Sequence, residues 1–165
     1  MNPCPCGYYL SDQKPCTCAP AVVTKYLKRI SGPLLDRIDV HIEVPRVDYE
    51  KLSGDRIGES SNSIRARVQA ARNIQSQRFS KNGSSDIVCN ADMRVGEIRQ
   101  FCKLQDEGQR LMRAAMTKLN LSACAYHRTQ SVKLARTIAD LAGSEEIQSF
   151  HLAEALQYRP KLMMG

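Results

Sequence analysis

The chain has 165 residues, seven cysteines, no tryptophan and a formal net charge of +7. No apolar run approaches the roughly 18 residues of a membrane span, and no basic segment followed by an apolar one opens the chain, so we expect neither a membrane span nor a signal peptide, and a cytoplasmic location. The positive charge suits a polyanion such as DNA, but ordinary basic proteins share it, and the basic residues form no single run.

Four of the seven cysteines fall within the first eighteen residues, in the pattern C-x-C-x9-C-x-C. They are Cys4, Cys6, Cys16 and Cys18. Two thiol pairs joined by a short loop can close a tetrahedral zinc site, although the usual spacing within a pair is C-x2-C. Two interpretations therefore stay open, a structural Zn²⁺ site and reduced thiols packed in a loop. The isolated Cys89, Cys102 and Cys124 are predicted to be small buried hydrophobes.

Apolar residues recur at helical spacing from Pro20 to Ser31, and the proline stands where a helix tolerates it. The next segment, SGPLLDRIDVHIEVP, combines a short apolar turn with an alternation of apolar and polar residues. That alternation predicts a half-buried strand through Val40, Ile42 and Val44.

Arg37 lies between this turn and the predicted strand. A guanidinium stays charged at physiological pH and offers a rigid fork of donors, so an arginine held there suits contact with a phosphate or carboxylate across a subunit boundary. A local salt bridge to Asp36 or Asp39 is the alternative.

Residues 46–59 show no sustained periodicity and are predicted to be a connector that contains a domain boundary, which divides the chain into 1–50 and 51–165. Ser60 or Ser61 can cap a helix that runs to about Phe79. Its arginines, which include Arg78, are predicted to lie on the solvent-exposed face. The apolar positions of this helix are Ile64, Val68, Ala71 and Ile74.

Four more helical patterns follow, starting near residues 92, 104, 122 and 149. Gly143 is predicted to stop the third and Pro160 the fourth. The predicted fold is therefore mainly α, with a helical bundle in the second half.

Several of these segments resemble a known family. The PLLDRID segment followed by a strand, with Met1-Asn2-Pro3 ahead of it, resembles the arginine-finger region of AAA+ ATPases in the magnesium-chelatase-like branch, of the ComM/YifB type. The stretches LARTIADL and HLAEAL resemble the C-terminal lid of the same family. The resemblance implies the end of an α/β AAA+ core, with its arginine-finger helix and strand, followed by a helical lid.

The resemblance also implies roles for individual residues. Asn2 would be the sensor-1 residue that positions water at the terminal phosphate, and Arg37 the finger that reaches into the neighbouring subunit's ATP site. The longer protein would use ATP and Mg²⁺, assemble as a homo-oligomeric ring, a hexamer by resemblance, and act on DNA as a branch-migration helicase. The family carries a cysteine insert between sensor 1 and the finger.

The chain departs from the family at the sensor-2 arginine. Cys124 stands where the family usually has arginine, and it has no permanent charge. Arg128, one helical turn further on, is a candidate replacement, and Arg136 is the fallback. For Arg136 the alternative is a helix-surface ion pair with Asp140, four residues later.

No glycine in the chain is followed by lysine, so the phosphate-binding loop G-x4-G-K-[ST] is absent, and we expect no ATP hydrolysis by this chain alone. The three histidines form no catalytic set and are predicted to be structural. Two other functions stay open, a stand-alone nucleic-acid-binding helical module and a subunit of a true magnesium chelatase. The cysteine insert favours the ComM type over the chelatase.

Overall fold

The computed structural model describes residues 1–11, 14–35, 37–44, 58–80, 86–118 and 130–158. Contacts divide the chain into two units, Met1–Ile38 and Asp39–Gly165. Each is described below by itself. The described residues are mainly helical, as predicted, and their α-helices number seven.

The first unit contains the cysteine loop and two helices, α1 (Pro20–Leu27) and α2 (Gly32–Leu35). Pro20 starts α1. The first residue of a helix makes no intrahelical hydrogen bond through its N–H, so a proline is tolerated there. The helix therefore begins as predicted and ends four residues before Ser31, because the next turns tighten into bonds to the third preceding carbonyl. The Ser31 hydroxyl then accepts the Leu34 N–H at 3.4 Å and caps α2.

The strand predicted after Arg37 does not form, since residues 39–44 are neither helix nor strand. Val40, Ile42 and Val44 are 43%, 69% and 83% exposed. A strand needs a partner ladder, and here the backbone N–H of His41 is donated instead to the carbonyl of Tyr158, at 2.8 Å. The prediction of a half-buried strand is therefore wrong, because no strand pairs with residues 39–44 in the described part of the chain.

In the residues that the structure describes, the second unit contains five helices and one 3₁₀ turn, Asn90–Asp92. The helices are α3 (Ser61–Ser80), α4 (Val95–Phe101), α5 (Asp106–Lys118), α6 (Gln130–Leu141) and α7 (Ser149–Gln157). Leu104 and Ile147 form an isolated parallel bridge between two connectors. The predicted start of α6 near residue 122 and the predicted stop at Pro160 lie outside the described residues.

Helix α6 lies at the centre of the core and packs against α3, α4 and α7. Ala135, Ala139 and, on α7, Leu152 are fully buried. Phe79 of α3 meets Phe101 edge to face, with ring centroids 5.8 Å apart. Truncating a buried leucine such as Leu152 to alanine typically costs about 2–5 kcal/mol in the free energy of unfolding. The burial of the Leu152 side chain is therefore a large share of the stability of a small domain.

Gly143 ends α6 as predicted. Its φ of +69° is the left-handed conformation that glycine adopts without strain. The N–H of Ser144 is donated to Ala139 at 2.8 Å, and that of Gly143 to Asp140 at 3.2 Å, which is the Schellman pattern. This turn sends the chain toward α7.

The length of α3 agrees with the prediction, but its buried face does not. Ile64, Val68 and Ile74 are 41%, 38% and 37% exposed, whereas Gln75 and Phe79 are buried. All residues from 61 to 70 are exposed, so the C-terminal half of α3 makes the packing contacts. No helix in the described residues is long and apolar enough to cross a membrane.

Candidate functional site

The four cysteines of the first unit converge on one point. The Sγ atom of Cys4 lies 3.3 Å from that of Cys6 and 3.7 Å from that of Cys16, and the Cys6 and Cys16 sulfurs are 3.6 Å apart. With Cys18 included, all four sulfurs lie within 4.8 Å of one another. Cys4 is buried, the other three are half-buried, and all four are free thiols. The group could therefore hold a metal ion.

Tight turns bring these sulfurs together. Gly7, at a φ of +81°, donates its N–H to the Cys4 carbonyl at 3.0 Å and folds the chain back after Cys6. Leu10 also has a positive φ, 61°, close to a second turn in which Ser11 donates to Tyr8 at 3.1 Å. The ammonium group of Lys14 lies 4.8 Å from the centre of the Tyr8 ring.

The thiols of the cluster differ in acidity. The Tyr8 backbone N–H, followed by the Cys4 side chain, lowers the pKa of Cys6 to about 5. For Cys16, the Cys18 backbone N–H acts to lower the pKa, but loss of solvent and the neighbouring sulfurs outweigh it and raise the pKa to about 12.

Asn2 and Arg37 are both exposed residues of the first unit. Asn2 stands two residues ahead of Cys4. Arg37 follows α2, and its backbone N–H is donated to Leu34 at 3.0 Å. Among the described residues Arg37 forms no ion pair, with Asp39 or any other acid. Asp36, the other predicted partner, lies outside the described residues. The sensor-1 and finger roles stay predictions.

Arg136 is 3% exposed and uses all three of its nitrogens. Nε donates to Asp140 at 3.0 Å, while Nη1 and Nη2 donate to the carbonyls of Glu145 and Ser144 at 2.7 and 2.6 Å. The predicted pairing with Asp140 is therefore present, but in the core rather than on the helix surface. This geometry favours the ion-pair interpretation of Arg136 over contact with a nucleotide.

Asp140 is shared with a second arginine. Arg78 of α3 contacts both of its oxygens, one through Nη1 at 2.9 Å and the other through Nη2. The amide of Asn90 donates to Asp140 at 2.8 Å and accepts from Arg78 at 2.9 Å. One fully buried carboxylate thus joins α3, the 3₁₀ turn and α6. We call Arg78, Asn90, Arg136 and Asp140 the lid network.

The prediction that Arg78 lies on the solvent-exposed face of α3 is wrong. The sequence analysis did not identify Asn90. The signal was present in part, because Ala71, Gln75, Arg78 and Phe79 follow helical spacing on one face. Gln75 belongs to the same region and accepts the Asn90 backbone N–H at 3.1 Å. Cys124, at the position of the family's sensor-2 arginine, and Arg128, the candidate replacement, lie outside the described residues.

Two family models match the chain. Residues 58–159 match the family described as magnesium chelatase, subunit ChlI C-terminal. Residues 1–52 match the family described as magnesium chelatase, subunit ChlI.

Individual proteins are also similar to this chain. The chain is 43% identical over 161 residues to the competence protein ComM of Haemophilus influenzae, and 41% identical over 160 residues to the uncharacterized protein YifB of Escherichia coli. An uncharacterized protein of Mycobacterium bovis is 33% identical over 158 residues. Each alignment covers 96% of this chain but only about 29% of ComM and YifB and 30% of the mycobacterial protein. Because the C-terminal match alone covers well over half of its residues, the chain belongs to the magnesium chelatase ChlI family.

Proposed function

We propose that this chain is the end of the ATPase core and the lid of a magnesium-chelatase-like AAA+ ATPase. In this proposal it supplies the sensor-1 and arginine-finger residues to a cytoplasmic, homo-oligomeric ring, a hexamer, that drives DNA branch migration with ATP. The observation that carries the proposal is Arg37. It is exposed, lies in the PLLDRID segment inside the ChlI match, and forms no ion pair among the described residues.

The residues of this chain do not fit the phosphates of ATP by themselves, because no glycine is followed by lysine. We therefore assign phosphate and Mg²⁺ binding to the part of the relatives' length that this chain does not span. ATP and Mg²⁺ are then cofactors of the longer protein. A structural Zn²⁺ in the cysteine cluster is an additional, non-catalytic metal.

Within that arrangement Arg37 acts on a nucleotide held by the adjacent subunit. Its fixed positive charge would stabilise the negative charge that develops on the γ-phosphate, a contribution of about 10³ to 10⁵ in rate where arginine fingers have been measured. Asn2 would orient the attacking water through its side-chain amide.

The second unit serves as the lid. Since the buried Asp140 binds groups from α3, the 3₁₀ turn and α6, these elements move as one body rather than sliding past one another. We therefore assign Arg136 to holding the lid together. Arg128 remains the candidate for the sensor-2 contact.

The test is a subunit-mixing experiment on the longer protein. An Arg37→Ala variant should assemble normally and lose at least about 10³-fold in ATP turnover. A second variant, with the P-loop lysine changed, should be equally inactive. Mixed rings should recover turnover, because a finger from one subunit then faces an intact P-loop of the other. Arg65→Ala, an exposed arginine of α3, is the control and should keep full activity. Unchanged turnover in Arg37→Ala, or no recovery on mixing, would contradict the finger role.

A stand-alone nucleic-acid-binding module is the second candidate, favoured by the charge of +7 and by the exposed arginines of α3. It predicts that the 165-residue chain binds duplex DNA without nucleotide. Its affinity should then fall steeply between about 50 and 200 mM salt. Weak or salt-insensitive binding would remove this candidate.

A further inference from the structure

We propose that Cys4, Cys6, Cys16 and Cys18 form a closed four-thiolate zinc centre that positions the backbone of Asn2. The inference has two parts. The zinc centre stands on the geometry of the first unit alone. The positioning of Asn2 rests on the proposed function.

The sulfur positions match those of a metal tetrahedron. A Zn–S bond of about 2.3 Å places the corners of a tetrahedron about 3.8 Å apart, while a disulfide would bring two sulfurs to about 2.05 Å. The three short distances here are 3.3, 3.6 and 3.7 Å, and they join three different thiols to one another rather than two in a pair. Three of the sulfurs thus stand at about the separations expected for corners of a zinc tetrahedron, and the Cys18 sulfur lies within 4.8 Å of each of them.

The donor set favours zinc over the hard cations. Four thiols are soft ligands, which suit Zn²⁺ and not the oxygen-preferring Mg²⁺ or Ca²⁺. Among the described residues, this group of possible ligands contains no histidine or carboxylate. Four protein ligands fill a tetrahedral shell and leave no open position, which is typical of structural rather than catalytic zinc.

A cross-link would stabilise the first unit. Among the described residues of Met1–Ile38, Cys4 and Val23 are the buried apolar side chains. The apolar burial of these residues therefore contributes little to holding the cysteine loop in one conformation, and disulfides or metals usually supply the missing stability where the core is so small. The thiols are free, so a metal is the cross-link that the residues of this unit offer.

The centre fixes the segment that carries Asn2. Cys4 is the most buried of the four ligands, and Pro3 alone separates it from Asn2. Proline restricts its own φ to about −65°, so rotational freedom between the metal ligand and the Asn2 backbone is reduced. Zinc would therefore limit how far the Asn2 backbone can move relative to the cysteine loop.

Metal content tests the first part. The purified 165-residue chain, prepared without chelator, should contain about one equivalent of zinc, measured by plasma mass spectrometry. Cobalt exchanged into the site should give the intense visible bands of tetrahedral Co²⁺ and a thiolate charge-transfer band. Cys4→Ser should lose both signals. Cys89→Ser, a half-buried cysteine that contacts Asp92 outside the cluster, should keep both. Less than about a tenth of an equivalent in the unaltered chain, or equal zinc in the two variants, would overturn the centre.

A double-mutant cycle in the longer protein tests the second part. Cys4→Ser and Asn2→Ala should each lower kcat for ATP with nucleotide affinity unchanged. The double variant should be no slower than Asn2→Ala, because Cys4 acts through Asn2. Additive losses, or full kcat in Cys4→Ser despite loss of zinc, would refute positioning and leave the metal centre standing. Failure of the finger test with Arg37→Ala would instead remove the proposed function, whatever the zinc content.

Discussion

Among the described residues, Arg78–Asp140 and Arg67–Glu59 are two arginine–carboxylate pairs of similar geometry and different burial, which makes their relative strength measurable. Arg78 and Asp140 have side chains that are 14% and 0% exposed. Arg67 and Glu59 also meet through two hydrogen bonds, at 3.0 and 3.1 Å, but their side chains are 53% and 42% exposed. The two pairs therefore differ in burial, and Asp140 has the additional donors Arg136 and Asn90.

Arg78→Ala removes two charge-assisted bonds to Asp140 and one to Asn90. Breaking a buried pair typically costs about 3–5 kcal/mol. Asp140 keeps its bonds from Arg136 and Asn90, so we expect a loss near the lower end, about 3 kcal/mol in the free energy of unfolding. Arg67→Ala should cost about 0.2–1 kcal/mol, as exposed pairs do.

Urea unfolding of the 165-residue chain, followed by far-ultraviolet circular dichroism, measures both values. With a slope of about 2 kcal/mol/M, Arg78→Ala should lower the midpoint by about 1.5 M and Arg67→Ala by less than about 0.5 M. Arg78→Met, which keeps the apolar stem, separates lost packing from lost charge. High salt should erase the smaller effect and leave the larger. Equal shifts for the two alanine variants would refute the reasoning from burial.

Two further predictions concern stability. Burial lowers the pKa of His151 below its ordinary value of 6.5, and its Nδ1 accepts the Gln148 N–H at 3.1 Å. The folded state favours neutral His151, so this residue contributes to the free energy of unfolding. That contribution is complete above the pKa of His151 in the unfolded chain, and it is lost as pH falls below about 6.5 toward the lower pKa of the folded state. Urea midpoints should therefore fall between pH 7.5 and 5.5, and less so in His151→Gln; equal pH dependence in the two proteins would contradict the assignment. Gly143→Ala should cost about 1–2 kcal/mol through its positive φ, since nothing lies within 4 Å of the added Cβ. Gly96→Ala, equally uncrowded but inside α4, should instead stabilise by about 0.5–1 kcal/mol, and the same sign for both, measured by thermal unfolding, would refute this explanation.

Local features were predictable because they depend on neighbours in sequence. The start of α1 at Pro20 and the end of α6 at Gly143 follow from backbone chemistry that the residue itself carries. The cysteine spacing left two interpretations open, a zinc site and loop-packed thiols, and the meeting of all four sulfurs depends on turns at Gly7 and near Leu10 that spacing does not specify.

Features that depend on distant partners were not predictable in the same way. Arg78 and Asp140 are separated by 62 positions, so nothing near Arg78 indicated that its charge would be buried. The alternation at Val40 to Val44 specifies a strand only where another strand is available to pair with it. The exposed apolar residues of α3 have the same explanation. Periodicity identifies the apolar face of a helix, but it does not show which part of that face packs against another element.

The free half of α3 has a mechanical consequence. A helix rises about 1.5 Å per residue, so the ten exposed residues from 61 to 70 extend roughly 15 Å beyond the packed half. A rotation of the bundle by about 10° would sweep the tip of this arm through about 2.6 Å, while side chains close to the pivot would shift by a small fraction of that. A stiff helix projecting from a tightly bonded base therefore works as a lever, converting slight tilts at its root into displacements as large as a hydrogen-bond length at its end.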